Sequence, residues 1–152
     1  MSINHTKWMK YAILEALRSK GSTGKNPPVG CVIVKNGNII SSGRTSFSGR
    51  PHAEENAISN VDNKADLIGS TIYLTLEPCA HKNNNGLSCA ELICKAGISE
   101  AIISCIDMDP RTFNKGIGIL KKNNIKVTEH FMKDEALSLY DGFFSRLIRV
   151  SF

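Results

Sequence analysis

The sequence predicts an α/β protein: a three-layer α/β/α sandwich around a mixed five-stranded sheet whose later strands run parallel. From Ile72 onward, short strand-like apolar runs alternate with segments of helical periodicity. Strand–helix–strand crossovers are right-handed and make parallel neighbours, so helices are expected on both faces of the sheet. Earlier in the chain, Asn36-Gly37 separates two apolar runs. This pair predicts a β-hairpin, which supplies an antiparallel pair of strands at one edge.

Local patterns justify each element in turn. Pro51 predicts the entry into one helix, and Ser88 with Glu91 three residues later forms a capping box that begins another, which Gly97 ends. Apolar residues at helical or alternating spacing mark the remaining elements. The predicted helices span residues 5–20, 52–61, 89–95, 115–123 and 133–149. The predicted strands span 29–34, 71–76, 101–105 and 125–128, and the return strand of the hairpin begins at residues 39–40.

Length and composition bound the class of protein. The 152 residues, 41% hydrophobic and 22% charged, predict one globular domain over residues 1–152 and exclude a disordered or fibrous chain. The net charge of +5 suits an anionic small molecule or nucleic acid, and equally a basic surface with no such partner. The polar start at Met1–Lys10 and strand-sized apolar runs such as Val29–Val34 predict neither a signal peptide nor a membrane segment. We therefore expect a cytoplasmic protein.

One histidine and two cysteines form a candidate metal site. Zinc is held by four nitrogen and sulfur ligands, and a catalytic site leaves one position to water, so His52, Cys79 and Cys89 supply the three that are needed. His52 follows Pro51 at a helix start, Cys89 follows the Ser88 N-cap, and Cys79 follows a strand. Strand ends and helix starts meet at the carboxyl edge of such a sheet. The pattern therefore predicts bound Zn²⁺.

The other cysteines have a simpler explanation. Cys31, Cys94 and Cys105 lie inside strand or helix patterns, where packing in the core is the usual role of a thiol. Cys94 is five residues beyond Cys89 on the same helix, more than a turn from the metal end, so it is not predicted as a ligand. Taken singly, a His-x-Glu motif is typical of a surface helix and a cysteine pair is typical of buried thiols. Their combination favours zinc.

At this point a family resemblance becomes specific. His52-Ala53-Glu54, Pro78-Cys79 and a later Cys89 resemble the signature of the zinc nucleobase deaminases. The nine residues between the two cysteines, in place of the usual two, resemble the deaminase domain of the riboflavin-biosynthesis deaminase/reductases. The resemblance covers roughly residues 5–149 and implies a cytidine-deaminase-like fold. The matching stretches are residues 26–34, 49–54, 75–81, 107–116 and 141–146.

The resemblance also implies a reaction. The family removes the ring 2-amino group of a diaminohydroxy-phosphoribosylamino-pyrimidine by hydrolysis, with zinc lowering the pKa of its water. Glu54 would take the water proton, pass it to the ring nitrogen and help ammonia leave. The positions matching Asn26, His81, Asp107 and Asp109 lie around the substrate in the family. Loop capping, an ordinary loop histidine and turn chemistry are the alternative explanations for these four residues.

The chain departs from the family pattern in three places. Residues 83–88 stand where relatives carry Gly-Lys/Arg-Thr-Pro-Pro, so the basic residue that contacts phosphate is missing, and Lys82 is the nearest substitute or else a solvated loop lysine. Thr45 stands where many relatives have histidine. The family usually continues into an NADPH-dependent reductase, but Gly116-Ile117-Gly118 is no dinucleotide fingerprint. We therefore expect either a separate reductase chain or a stand-alone deaminase.

Two other classes of function stay open at this stage. A deaminase of another nucleobase, nucleoside or tRNA is compatible with the basic charge, whereas the cysteine spacing and the 107–109 stretch disfavour a nucleic-acid substrate. A zinc-binding module without catalysis is supported by the altered loop before Cys89. The predicted partner is a small phosphorylated pyrimidine, with no membrane partner. The family implies a homo-oligomer.

Overall fold

The computed structural model describes residues 4–83, 86–109 and 112–140. Within these ranges the chain forms five helices and five strands, together with two short 3₁₀ turns at Phe47–Gly49 and Lys64–Leu67. The first helix is followed by a hairpin, after which helices and strands alternate. In chain order the elements are α1 (His5–Ser19), β1 (Gly30–Lys35), β2 (Asn38–Arg44), α2 (Ala53–Ser59), β3 (Thr71–Leu76), α3 (Cys89–Ala96), β4 (Glu100–Cys105), α4 (Lys115–Lys122), β5 (Lys126–Thr128) and α5 (Lys133–Leu137).

The strands form one mixed sheet in the order β2-β1-β3-β4-β5. β1 is antiparallel to both β2 and β3, whereas β3, β4 and β5 are parallel. The hairpin turn has positive φ angles of 52° at Asn36 and 76° at Gly37. Both positive angles are what a type I′ turn requires, which explains the Asn-Gly pair. The predicted hairpin and the predicted parallel half of the sheet are confirmed.

Helices cover both faces of this sheet, as predicted for a three-layer sandwich. On one face, apolar side chains of β1, β3 and β4 such as Ile33, Leu74 and Ile103 pack against α2, α3 and α4. On the other face, alternate residues such as Val32 and Tyr73 pack against α1, and α5 packs beside α1 on that side. Because side chains alternate between the faces of a strand, these strands are apolar on both sides.

A glycine in β2 allows the start of α2 to approach the sheet closely. A Cβ on Gly43 of β2 would lie 2.4 Å from the Ala53 carbonyl oxygen and 2.6 Å from the Ala57 backbone nitrogen. No other residue leaves room for this approach. The start of α2, which follows His52, is therefore fixed against the edge of the sheet.

Some element boundaries differ from the sequence predictions. The predicted helix 52–61 is observed as Ala53–Ser59, with His52 as its N-cap directly after Pro51. β2 reaches Arg44 because its serines and Gly43 pair with β1. α5 ends at Leu137. Residues 138–140 of the predicted closing helix form a turn. Residues 141–149, including the 141–146 motif, lie outside the described residues. Of the helices in the described ranges, none is long and apolar enough to cross a membrane.

Candidate active site

Three side chains converge where the parallel strands end and the helices begin. His52 caps α2, Cys79 follows β3, and Cys89 is the first residue of α3. Their ligand atoms all lie within 4.8 Å of one another, and His52 Nδ1 is 3.4 Å from Cys89 Sγ and 3.8 Å from Cys79 Sγ. Cys94 lies elsewhere, with its Sγ 3.9 Å from the Ile119 carbonyl oxygen between α3 and α4.

The electrostatics of this cluster suit a divalent cation. A hydrogen bond from the Cys89 thiol is the main cause that lowers the pKa of Cys79, and the same contact together with burial raises the pKa of Cys89. The two sulfurs therefore share one negative charge, and the second thiol resists ionisation. A hydrogen bond with Cys79 also raises the pKa of His52. One imidazole and two thiols are the donor set that zinc prefers, and three protein ligands are typical of catalytic sites.

Glu54 lies beside this cluster in the first turn of α2. Its side chain is buried, with only 3% of the residue exposed. Burial, followed by the nearby negative charge of Cys79, raises the pKa of Glu54 to about 7. A carboxyl group with a pKa near neutrality can both accept and return a proton, as a general acid–base group must.

A cavity of about 380 Å³ opens over Glu54, His52 and Cys79. Four of the five residues predicted to contact substrate line it: Asn26, His81, Asp107 and Asp109. A larger open groove of about 590 Å³ runs along α1 and β2, but it contains none of these groups. The cavity over Glu54 is therefore the candidate substrate site, because the reactive groups are there.

Two of the residues that line the cavity, Asn26 and Asp107, also make hydrogen bonds that hold the surrounding loops. The Asn26 amide donates to the Gly49 carbonyl at 2.8 Å. Asp107 accepts the backbone N–H of Asp109 at 3.0 Å through one oxygen, and the Thr112 hydroxyl at 2.8 Å through the other. The turn chemistry considered from the sequence is thus present at Asp107, within the wall of the cavity.

The remaining substrate candidates occupy different positions. The His81 ring stands edge-on to the His52 ring, with 6.5 Å between centroids. Lys82 is exposed and is not among the residues that line the cavity. The pKa of Glu91 is lowered first by a hydrogen bond from the Ser88 backbone and to a smaller extent by the charge of Lys82.

Glu77 is a functional candidate that the sequence analysis did not identify. It is only 5% exposed and lines the cavity. Its carboxylate accepts backbone N–H groups of Asp107 at 3.2 Å, Asn114 at 3.2 Å and Ile117 at 3.1 Å. Burial raises the pKa of Glu77, and these three donors act against that rise. The available sequence signal was an acidic residue at the end of an apolar strand, directly before Pro78-Cys79.

A polar pair next to the sulfurs was also missed. The Asn83 amide nitrogen lies 3.6 Å from Cys79 Sγ and 3.5 Å from Cys89 Sγ. Arg50 donates from Nη1 to Asn83 Oδ1 at 2.9 Å. No short-range pattern connects residues 33 positions apart in the chain.

The fold and the site together define an α/β protein with a candidate metal centre beside a buried acid–base residue. Residues 2–105 match the family profile described as the cytidine and deoxycytidylate deaminase zinc-binding region. This match covers more than half of the sequence. The chain therefore belongs to the cytidine and deoxycytidylate deaminase family, and the resemblance drawn from its motifs is confirmed.

Two individual relatives have more specific names than the family. The chain is 40% identical over 145 residues to the diaminohydroxyphosphoribosylamino-pyrimidine deaminase of Buchnera aphidicola subsp. Acyrthosiphon pisum, covering 95% of this chain and 97% of that protein. It is 39% identical over 140 residues to the riboflavin biosynthesis protein RibD of Buchnera aphidicola subsp. Baizongia pistaciae. That match covers 92% of this chain but spans only 37% of the RibD protein.

A solved structure agrees with these matches. The Thermotoga maritima diaminohydroxyphosphoribosylaminopyrimidine deaminase/5-amino-6-(5-phosphoribosylamino)uracil reductase superposes with a TM-score of 0.88 at 34% identity. The superposition covers 95% of this chain and 41% of that one. The predicted cytidine-deaminase-like fold is confirmed.

Proposed function

We propose that this chain is a zinc-dependent hydrolytic deaminase that removes the 2-amino group of diaminohydroxy-phosphoribosylamino-pyrimidine in riboflavin biosynthesis. The observation that carries the proposal is the convergence of His52, Cys79 and Cys89 within 4.8 Å of one another, beside buried Glu54 in one cavity. The name of the relative from Buchnera aphidicola subsp. Acyrthosiphon pisum, which the chain covers almost completely, supports this choice of substrate.

His52, Cys79 and Cys89 would hold the Zn²⁺ ion. When bound, zinc supplies a Lewis acid that lowers the pKa of a bound water toward about 7. The two cysteines would both ionise on binding, since the cation removes the repulsion that otherwise leaves one thiol protonated. Glu54 stays outside this ligand set.

Glu54 would carry the protons of the reaction. Its carboxylate takes a proton from the attacking water and delivers it to the ring nitrogen next to the amino-bearing carbon. The water oxygen forms the new C–O bond. Glu54 then moves the proton of the new hydroxyl to the departing amine, the C–N bond breaks, and a carbonyl and ammonia result. One water is consumed, and Glu54 returns to its starting state.

The lining residues give the substrate its place. Asn26, His81, Asp107 and Asp109 would contact the pyrimidine and ribose, since their polar groups surround the cavity. Lys82 would meet the phosphate, because a long flexible lysine side chain can reach from a neighbouring loop position. Since the Thermotoga maritima protein is named for both a deaminase and a reductase, we propose that a reductase acts on the product. We also propose that this chain is a cytoplasmic homo-oligomer.

The decisive experiment measures ammonia release by the zinc-loaded protein. The pathway pyrimidine is compared with cytidine, guanine and a blank without substrate. Ammonia from the pathway pyrimidine alone would support the proposal, and release from cytidine or guanine instead would refute the substrate. A protein that holds zinc but releases ammonia from none of them would be a binding module, the alternative that the altered loop 83–88 favours. Deamination of tRNA with a steep salt dependence would indicate a nucleic-acid substrate.

A further inference from the structure

The amide of Asn83 contacts both cysteine sulfurs of the cluster. Its nitrogen lies 3.6 Å from Cys79 Sγ and 3.5 Å from Cys89 Sγ. A side-chain amide carries two N–H groups, so one Asn83 side chain can donate to both sulfurs at once. Asn83 is also buried, with 9% of the residue exposed, so water competes little for these donors.

Arg50 fixes which end of that amide faces the sulfurs. An asparagine can turn its carbonyl oxygen or its NH₂ group toward a neighbour, and the carbonyl would repel thiolates. Arg50 Nη1 donates to Asn83 Oδ1 at 2.9 Å. A guanidinium group has only donors, so it accepts only the carbonyl end as a partner. Arg50 and the two sulfurs therefore favour the same orientation of the Asn83 amide, with its oxygen toward Arg50 and its NH₂ group toward the sulfurs.

The backbone around Asn83 holds the residue in place. The Asn83 N–H donates to the Leu87 carbonyl at 3.0 Å, and the Gly86 N–H donates to the Asn83 carbonyl at 2.9 Å. Gly86 has a φ of +84°, which glycine adopts without strain. The loop thus closes on itself between the two cysteines. This is the segment in which the chain differs from the Gly-Lys/Arg-Thr-Pro-Pro of its relatives.

We propose that Asn83, oriented by Arg50, is a positioning residue that stabilises the thiolate pair of Cys79 and Cys89 and so raises the affinity of the site for zinc. The proposal rests on the zinc site of the proposed function. Hydrogen bonds to ligand sulfurs spread their negative charge and fix their direction. Removal of such outer partners typically weakens metal binding by about 10–100-fold. In this proposal, the loop 83–88, which stands where relatives carry Gly-Lys/Arg-Thr-Pro-Pro, supplies an amide that supports the metal centre.

The test measures zinc affinity by competition with a chromophoric chelator, together with the thiolate-to-metal absorption band of the Co²⁺-substituted protein. Asn83→Ala should weaken zinc binding by about 10–100-fold and shift the cobalt band. Arg50→Met should weaken zinc binding less, because the amide remains but is free to turn. In the Asn83→Ala background, Arg50→Met should cause no further loss.

Controls separate this role from folding. Lys95→Ala, at an exposed position in the last turn of α3, should leave zinc affinity and the cobalt band unchanged. Circular dichroism of each variant reports whether the fold is kept. If Asn83→Ala fails to fold, Arg50→Met carries the test, because Arg50 is exposed. Weaker binding then supports the proposal, and unchanged affinity overturns it.

Two results would overturn the inference. Equal zinc affinity and an unchanged cobalt band in folded Asn83→Ala would show that the amide does not act on the thiolates. Additive losses in the double variant would show that Arg50 does not act through Asn83. In either case a wild-type protein that binds zinc and releases ammonia leaves the proposed function standing. A wild-type protein that binds no zinc would overturn both.

Discussion

Replacement of Glu54 by glutamine gives the most informative single perturbation of this site. Glutamine keeps the shape of the side chain but stays neutral at every pH. Because Glu54 lies outside the proposed ligand set, zinc-loaded Glu54→Gln should retain its metal and its fold. Turnover should fall by at least the roughly 10²–10⁴-fold that is typical of general acid–base catalysis. Metal analysis and ammonia release measure these two effects separately.

The same variant tests the buried state of the carboxyl group. The pKa of Glu54 rises from 4.5 to about 7 in the folded protein, so the folded state binds this proton more tightly than the unfolded state. The resulting stability is complete below pH about 4.5 and is lost as the pH rises through about 7. Since a tenfold change in proton affinity corresponds to about 1.4 kcal/mol, the loss amounts to about 3 kcal/mol. Glu54→Gln has no group that titrates at this position, so it should not show this loss of stability.

Urea unfolding of the chelator-treated proteins at about pH 5 and about pH 8 measures this difference. The free energy of unfolding of Glu54→Gln, relative to wild type, should increase over this range by most of the about 3 kcal/mol. Glu55→Gln is the matched control, because it retains an oxygen for the hydrogen bond that Glu55 accepts from the His52 N–H and should keep turnover. If the difference in free energy of unfolding between Glu54→Gln and wild type does not change with pH, the raised pKa of a buried Glu54 would be refuted. Near-full turnover of Glu54→Gln would refute its role in catalysis.

Three further predictions concern the proposed metal ligands, the contact with the substrate phosphate, and Glu77. Cys79→Ser and Cys89→Ser should lose zinc whereas Cys94→Ser keeps it, and metal analysis giving the opposite pattern would refute the ligand set. Lys82→Ala should raise KM for the phosphorylated substrate and leave the dephosphorylated analogue and the zinc content unchanged, so equal effects on both substrates would remove Lys82 from the site. Glu77→Gln should lower stability by about 1–3 kcal/mol, because one of its oxygens becomes a donor facing backbone N–H groups. It should also raise KM more than it changes kcat, which steady-state kinetics measure.

The parts of this fold that could be predicted depend on short-range chemistry. The Asn36-Gly37 turn requires two positive φ angles, and few other dipeptides provide them. The capping box at α3 is observed as expected, with Glu91 N–H donating to Ser88 Oγ at 3.0 Å and Ser88 N–H donating to Glu91 Oε1 at 3.1 Å. These local devices fix where helices begin. The same capping box also predicts Cys89 at the start of a helix from the sequence alone.

The parts that could not be predicted depend on contacts between distant segments. Glu77 accepts hydrogen bonds from residues 30, 37 and 40 positions further along the chain. The pairing of Arg50 with Asn83 has the same origin. Sequence patterns of period two or 3.6 carry no information about such contacts.

The arrangement of the site fits the proposed use of a metal. Burial of Glu54 and crowding of Cys89 against Cys79 each raise the cost of a further negative charge in one small volume. Without a cation, only one of the two thiols ionises readily, because the pKa of Cys79 is lowered while that of Cys89 is raised. A bound divalent ion would allow both thiols to ionise, because it supplies the opposing charge. Glu54, outside the ligand set, would keep a desolvated position from which it can exchange protons near neutral pH. The fold thus separates the proposed metal ligands from the proposed proton carrier, although His52 and Glu54 are only two residues apart.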